Sequence, residues 1–431
     1  MERSRSGKKN TEITFYPPVV IQKRFGKLFH WARRRIAKIW LKINSPKIII
    51  GITGSYGKTN SVRAVSQVLS EKYPTLQTDI NLDTLYNLPI TLLKLRPKHK
   101  FAVLEYGIDK INEMDLHLSL VRPEIGVLTG ITPVHADRKH FGSLRKIMEE
   151  KGKLLSCLPK DGYALLNYDD PNVRKMANRT KARVIWYGTT KNCQIWADKI
   201  QFDSSGTTFT VHFNYLNWPK KQTFKTGLIG EHFVQACMAA IFIGKIYGIE
   251  NYRIKKALRL LKPLPGRLDF KRGPRETILL DDHLRANLAS TCAGLKVFSQ
   301  LPGKRKIAIL GEMGEMGKYA KAGHRQIGQM AASLEIDYLF CIGPLGKEMA
   351  KAAIKNGMDK EKVFWRKDVL AAGGTLAGLI KEGDFLYLKG SLLRHMERII
   401  LFLEGKRVFC KKLSCHHYSQ CDTCSCLPLA N

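Results

Sequence analysis

The chain runs Ile48-Ile49-Ile50-Gly51-Ile52-Thr53-Gly54-Ser55-Tyr56-Gly57-Lys58-Thr59-Asn60. An apolar strand enters a glycine-rich turn, and a helix over 61–69 is predicted to leave it. Glycines let backbone N–H groups close on an anion without Cβ interference. The helix N-terminus adds its partial positive charge. Lys58 can neutralise the outer phosphates of a nucleotide, and the Thr59 hydroxyl can reach Mg²⁺. Gly54, Ser55, Gly57, Lys58, Thr59 and Asn60 are therefore the candidate nucleotide-binding residues. A plain tight turn would need no Gly-Lys-Thr between strand and helix. Position 52 is Ile rather than the Gly of a strict phosphate-binding loop, so the pattern is Gly-x-Thr-Gly-x-x-Gly-Lys-Thr.

Two further groups of side chains carry chemistry. Glu105 ends the apolar run Phe101-Ala102-Val103-Leu104. A carboxylate there needs a partner, either a metal ion or a cation, and a nearby phosphate loop favours metal. The tail holds Cys410, Cys415, Cys421, Cys424 and Cys426, with His416 and His417. Cys410, Cys415, Cys421 and Cys424 could hold Zn²⁺ tetrahedrally; redox or lipidated cysteines, or cysteines with no defined role, are the other readings. Cys157, Cys193, Cys237, Cys292 and Cys341 are scattered singly, the pattern of reduced thiols in a cytosolic protein.

The elements that position these groups alternate. Short apolar runs at 101–105 and 125–129 read as buried parallel strands, with a helix at 143–158. Residues 184–213 are β-rich with a turn at 203–206, suggesting antiparallel strands at the sheet edge. A helix at 231–247 closes this unit. Pro263-Leu264-Pro265-Gly266 is a hinge. Strands at 277–280, 306–310, 338–342 and 385–388, with helices between, predict a second doubly wound unit. The expected division is 1–46, a basic segment; 47–262, an ATP-binding domain; 263–405, a C-terminal Rossmann-like domain; and 406–431, a cysteine-rich tail. The fold class is α/β.

At 431 residues the chain exceeds one ordinary core. No stretch of 18 apolar residues argues for a transmembrane helix, and no signal peptide is evident. Lys and Arg number 72 against 37 Asp and Glu, a net +35. The excess is spread along the chain, and no specific nucleic-acid partner is expected. No Asp or Glu occurs from residue 13 to 70. There Phe25, Leu28, Phe29, Ala32, Ile36, Ile39, Trp40 and Ile43 fall at helical spacing, opposite Lys23, Arg24, Lys27, Arg33, Arg34, Lys38 and Lys42. This basic amphipathic helix packs on its own domain, meets an anionic membrane surface or, as a third reading, contacts nucleic acid.

Further motifs, in order, resemble those of the Mur ligases, from residue 47 to about 404. They are Asn87-Leu88-Pro89-Ile90-Thr91, Glu105-Tyr106-Gly107, Thr132-Pro133-Val134-His135, Phe141-Gly142-Ser143, Lys151-Gly152-Lys153, Pro265-Gly266-Arg267-Leu268, Asp281-Asp282, Gly311-Glu312-Met313, His324 and Lys389-Gly390-Ser391. The nearest branch is the D-alanyl-D-alanine-adding MurF ligases. The resemblance implies an ATP- and Mg²⁺-dependent amide ligase of peptidoglycan precursor synthesis, working through an acyl phosphate. It implies that Thr59, Glu105, His135 and a carbamylated Lys151 hold metal, with His140 competing with His135. It implies that Arg267 reaches the phosphates and Asp282 and Asn287 place the nucleotide. Lys389 and Ser391 would face the amine substrate. Asp281 and Asp282 could instead cap a helix, and Lys389 and Lys151 could be surface lysines.

The sequence departs from the family at Phe233, Leu284 and Arg285, which puts the usual adenine contacts in doubt. The 46 residues before the loop are too few for a UDP-sugar domain. The expectation is an acceptor gripped differently or linked to lipid, as in the MurT ligases. The partners implied are a nucleotide- or lipid-linked peptide and an amino acid or dipeptide. A monomer is expected, cytoplasmic or peripheral at the inner membrane face. A degenerate Mur fold acting as a membrane or nucleic-acid binding module is the reading from another class.

Overall fold

The computed structural model describes residues 25–79, 84–133, 136, 140–314, 316–408, 410, 412–415, 421 and 424. Two sheets organise them. The first contains β1 (Ile48–Thr53), β2 (Thr75–Gln77), β3 (Phe101–Glu105), β4 (Ile125–Leu128), β5 (Tyr163–Asn167), β6 (Arg183–Gly188), β7 (Ile195–Asp203), β8 (Gly206–Phe213) and β9 (Lys221–Thr226). Their order is β2-β3-β1-β4-β5-β6-β7-β8-β9. Pairing is parallel from β2 through β7 and antiparallel for β7-β8 and β8-β9. The antiparallel edge expected over 184–213 is thus narrower at its start, because β6 pairs in parallel on both sides. The turn at 203–206 is the β7-β8 hairpin, with Asp203 opposite Gly206.

β1 is buried between β3 and β4, which explains its unbroken Ile-rich face. The chain leaves β1 toward β3 on one side and later toward β4 on the other. That reversal opens a crevice at the carboxyl ends of the strands, where ligands of open α/β sheets bind. The second sheet holds β10 (Asp269–Arg272), β11 (Ile278–Asp282), β12 (Lys306–Leu310), β13 (Tyr338–Ile342), β14 (Val363–Arg366) and β15 (Phe385–Lys389) in the order β10-β11-β15-β12-β13-β14. β10 is its antiparallel edge, and the remaining pairs are parallel.

Helix α1 (Phe25–Ile43) packs on α3 (Thr84–Leu92) and α4 (Glu113–Leu120). Ala37 is fully buried, Trp40 Nε1 donates to the Leu95 carbonyl at 3.0 Å, and Arg34 donates to the Leu116 carbonyl. One face of α1 is therefore part of its own domain. A second face is not: Phe29, Ile36, Ile39 and Ile43 are 56–70% exposed. Among the described residues no helix is long and apolar enough to cross a membrane.

Candidate functional site

The loop after β1 closes by contacts that leave no room for side chains. A Cβ at Gly54 would meet Thr129 Oγ1 at 2.1 Å, and one at Gly130 would meet the Tyr56 ring at 2.1 Å. Gly57 caps α2 (Lys58–Ser70) at φ 75°, a left-handed conformation that suits glycine. The Thr129 hydroxyl donates to the Tyr56 carbonyl, and Ser55 N–H donates to the Gly130 carbonyl at 2.7 Å. Helix α2 thus starts at Lys58, three residues before the sequence expectation, with its N-terminus on the crevice. Lys58 Nζ donates to the Gly54 carbonyl at 2.9 Å. Burial pushes its pKa down, Glu105 opposes that, and Arg285 and Arg267 add to it.

Around this loop lies a cavity of about 380 Å³. Its walls come from both sheets. The first contributes Ser55, Gly57, Lys58, Thr59, Asn60, Glu105 and Asp109; the second contributes Arg267, Asp282, Arg285, Asn287 and Lys389. Thr59 Oγ1 donates to Glu105 Oε2 at 3.0 Å, so the hydroxyl and carboxylate expected at one metal do meet. Both are hard oxygen donors, the type Mg²⁺ takes.

Lys151 projects from α5 (Leu144–Ser156), capped by Ser143, whose hydroxyl accepts from Lys146 N. It is 2% exposed, so the surface-lysine reading fails. Burial, and then the charge of Lys58, lower its pKa to about 7. Arg267 is pressed down to about 10 by burial and then by Arg285, and its Nε is buried without a hydrogen-bond partner among the described residues. Burial and Lys389 hold His232, on the cavity wall, at about 3 and hence neutral.

Lys389 is no surface lysine either, at 2% exposed. Its Nζ donates to Asp282 Oδ2 at 2.6 Å and to the Arg285 carbonyl at 3.0 Å. Asp282 also accepts from Tyr387 Oη. Asp281 pairs with Lys271 and His283. Neither aspartate caps the next helix, Leu288–Gln300; Asn287 does, in a reciprocal capping box with Ser290. Ser391 lies outside the cavity lining; its N–H donates to the Glu312 carbonyl at 2.9 Å. His135 lies outside the described residues. His140 is described and half-buried.

The tail does not gather its four cysteines. Among the described residues the one group of three or more His, Cys, Asp or Glu side chains with ligand atoms close enough to share a metal ion is His395, Glu397 and Cys421. Cys410, Cys415 and Cys424 are outside it, which corrects the four-thiolate expectation: the chain folds Cys421 back onto the helix at Glu397. Sequence reasoning also missed Arg285 and Tyr56 as site residues. Tyr56 Oη donates to Asp170 Oδ2 at 3.1 Å, tying the loop to the end of β5. Tyr56 sits at an open position of the loop motif, and Arg285 at a position where the sequence departs from the family pattern.

The Mur ligase middle domain matches residues 52–244, and the Mur ligase glutamate ligase domain matches 266–392. A UDP-N-acetylmuramoyl-tripeptide–D-alanyl-D-alanine ligase from Escherichia coli is 29% identical over 385 residues, 88% of this chain and 80% of that protein. A crystal structure of MurF from Acinetobacter baumannii aligns with a TM-score of 0.77 and 26% identity, covering 88% of this chain and 81% of that one. MurF from Thermotoga maritima, solved in complex with ADP, shares the fold, with a TM-score of 0.73 at 21% identity. With both domain models matched in order across the crevice, this chain belongs to the Mur ligase family.

Proposed function

We propose that the chain is an ATP-dependent ligase that joins D-alanyl-D-alanine to a UDP-N-acetylmuramoyl-tripeptide in peptidoglycan precursor synthesis. The observation that carries this is the shared cavity, where the phosphate loop of one sheet faces Arg267, Arg285 and Lys389 of the other. A substrate carboxylate phosphorylated by ATP becomes an acyl phosphate, which an incoming amine attacks with loss of phosphate. Several anionic oxygens crowd together in that sequence, and preorganised cations stabilise them most where water is scarce. Lys58 and the α2 N-terminus would bind the phosphates, and Arg267 would close on them from the second domain. Neutral His232 adds no further charge there.

Thr59 and Glu105 fit Mg²⁺, which when bound would offset phosphate charge. A lysine whose pKa lies near 7 presents a neutral amine that can react with CO₂. Lys151 as a carbamate would give a further oxygen donor in place of a cation. Asp282 is held by Lys389, so the pair would shape the nucleotide wall together. The test is phosphate release from ATP by the full chain. Release should require both the UDP-muramoyl-tripeptide and D-alanyl-D-alanine; release with neither, or with other amines only, would overturn the assignment.

A second reading keeps the chemistry and takes a lipid-linked acceptor. It rests on the exposed apolar stripe of α1, flanked by Arg35, Lys38 and Lys42, which suits an anionic bilayer surface. A binding module without catalysis is not favoured, because Lys58, Arg267, Arg285 and Lys389 converge on one cavity beside Thr59 and Glu105.

A further inference from the structure

Beyond the last helix, Glu397–Leu403, the tail doubles back on it. Buried Arg398 donates to the carbonyls of Cys410 and Lys412, each at 2.9 Å. Cys415 N–H donates to the Leu393 carbonyl at 2.9 Å. Cys421 then lands against the start of the helix, its N–H 3.4 Å from Glu397 Oε1, and is buried with Leu401.

Three metal-ligating side chains meet at that landing point. The ligand atoms of His395, Glu397 and Cys421 lie within 4.8 Å of one another. His395 is 1% exposed and sits in the left-handed region, at φ 49° and ψ 57°. Its Nδ1 is 2.7 Å from Glu397 Oε1. Its Nε2 is buried with no partner among the described residues. A buried imidazole nitrogen without a partner is costly, and a non-glycine residue held left-handed adds strain. Nothing in the catalytic cavity uses these groups.

We propose that His395, Glu397 and Cys421 form a zinc site that fastens the tail to the second domain, with Cys424, which lies outside the present three-ligand cluster, moving in as the fourth donor. The chemistry of the set selects the ion. Mg²⁺ and Ca²⁺ take oxygen ligands, whereas imidazole, thiolate and one carboxylate suit Zn²⁺. Tetrahedral zinc with bonds of about 2.0–2.3 Å accommodates three donors after a small contraction of the present cluster. Cys424 follows Cys421 at the two-residue spacing of a zinc knuckle. Its N–H donates to the Cys421 carbonyl at 3.1 Å, and it packs in the same apolar cluster. Glu397 Oε2 also faces His283 Nε2 at 3.8 Å, and His283 holds Asp281, so the site is braced against the end of β11.

The test uses the full chain, free of tags, expressed with zinc and analysed by elemental mass spectrometry. About one zinc per chain is expected. In chelator competition, Cys421→Ser and His395→Gln should each weaken zinc retention by about tenfold or more. Cys410→Ser and Cys415→Ser should retain it, since those residues lie outside the His395, Glu397 and Cys421 cluster. If the ligand variants misfold, cobalt titration of the wild-type apoprotein decides. A thiolate-to-cobalt charge-transfer band with tetrahedral visible bands, saturating at one equivalent, supports the site. Absence of both zinc and that band overturns it. So does zinc that is lost from Cys410→Ser and Cys415→Ser but kept by His395→Gln.

Discussion

Lys389 and Asp282 are directly opposite each other on the paired strands β15 and β11, and their side chains form a buried ion pair at 2.6 Å. Both lie at the carboxyl ends of those strands, on the cavity wall. Removing one partner leaves an uncompensated buried charge, which costs about 3–5 kcal/mol, whereas the intact pair stabilises little. Lys389→Met should therefore lower the urea midpoint sharply, and adding Asp282→Asn should recover most of the loss. If the double variant is as unstable as the sum of the singles, the pair is not coupled.

Lys58→Ala should abolish turnover with the fold intact. It removes a preorganised cation from the phosphate site, worth about 3 kcal/mol or more, and so about a hundredfold or more in rate. Circular dichroism checks the fold, and phosphate release checks the rate. Full activity would remove the nucleotide site from this loop.

With Lys151 as a carbamate, activity should depend on CO₂ and pH together. Its pKa is lowered to about 7 from 10.5. Below about 7 the amine is protonated in both folded and unfolded chains, and the cost of burying its charge is fully felt. Between about 7 and 10.5 the unfolded chain binds more protons than the folded one, so stability rises with pH. The neutral amine also becomes available over the same window. In CO₂-depleted buffer, activity should fall, and added bicarbonate should restore it faster as pH rises through 7. Lys151→Ala should lose ligation yet bind ATP, with partial rescue by acetate or formate. Wild-type turnover by Lys151→Ala in CO₂-depleted buffer would exclude the carbamate.

Helix α1 offers a test that spares its packing. Deleting it would strip Trp40 and Ala37 from the domain, so serine is placed instead at the exposed Phe29, Ile36, Ile39 and Ile43. Co-sedimentation with phosphatidylserine vesicles at low salt should drop strongly, while the melting temperature stays within a few degrees. Equal sedimentation of both proteins would leave the apolar stripe without a lipid role.

Much of the site was legible because chain order and strand ends coincide. Gly54, Lys58 and Glu105 sit where β1 and β3 stop, and short apolar runs mark those strands plainly. Edge strands were harder. β10 reads Asp269-Phe270-Lys271-Arg272, too polar and short to stand out. Burial was the other blind spot: nothing local distinguishes Lys389 or Lys151 from the many solvated lysines of a +35 chain. Only the opposing strand, or the neighbouring cation, reveals them. The tail shows the same limit. Cysteine spacing suggested four thiolates, but the fold joins Cys421 to His395 and Glu397, some 25 residues upstream.

Arg267 follows the Pro263–Gly266 turn at once, and its N–H donates to the Leu264 carbonyl within that turn. A polyanion gripped by Lys58 and Arg267 would therefore cross-link the two sheets through the shortest lever the chain provides, in addition to the buried apolar cluster they already share. Occupancy then becomes mechanical as well as chemical. Saturation at about a hundred times the dissociation constant adds about 2.7 kcal/mol to whatever resists opening. The nucleotide-loaded protein should melt at a higher temperature than the empty one.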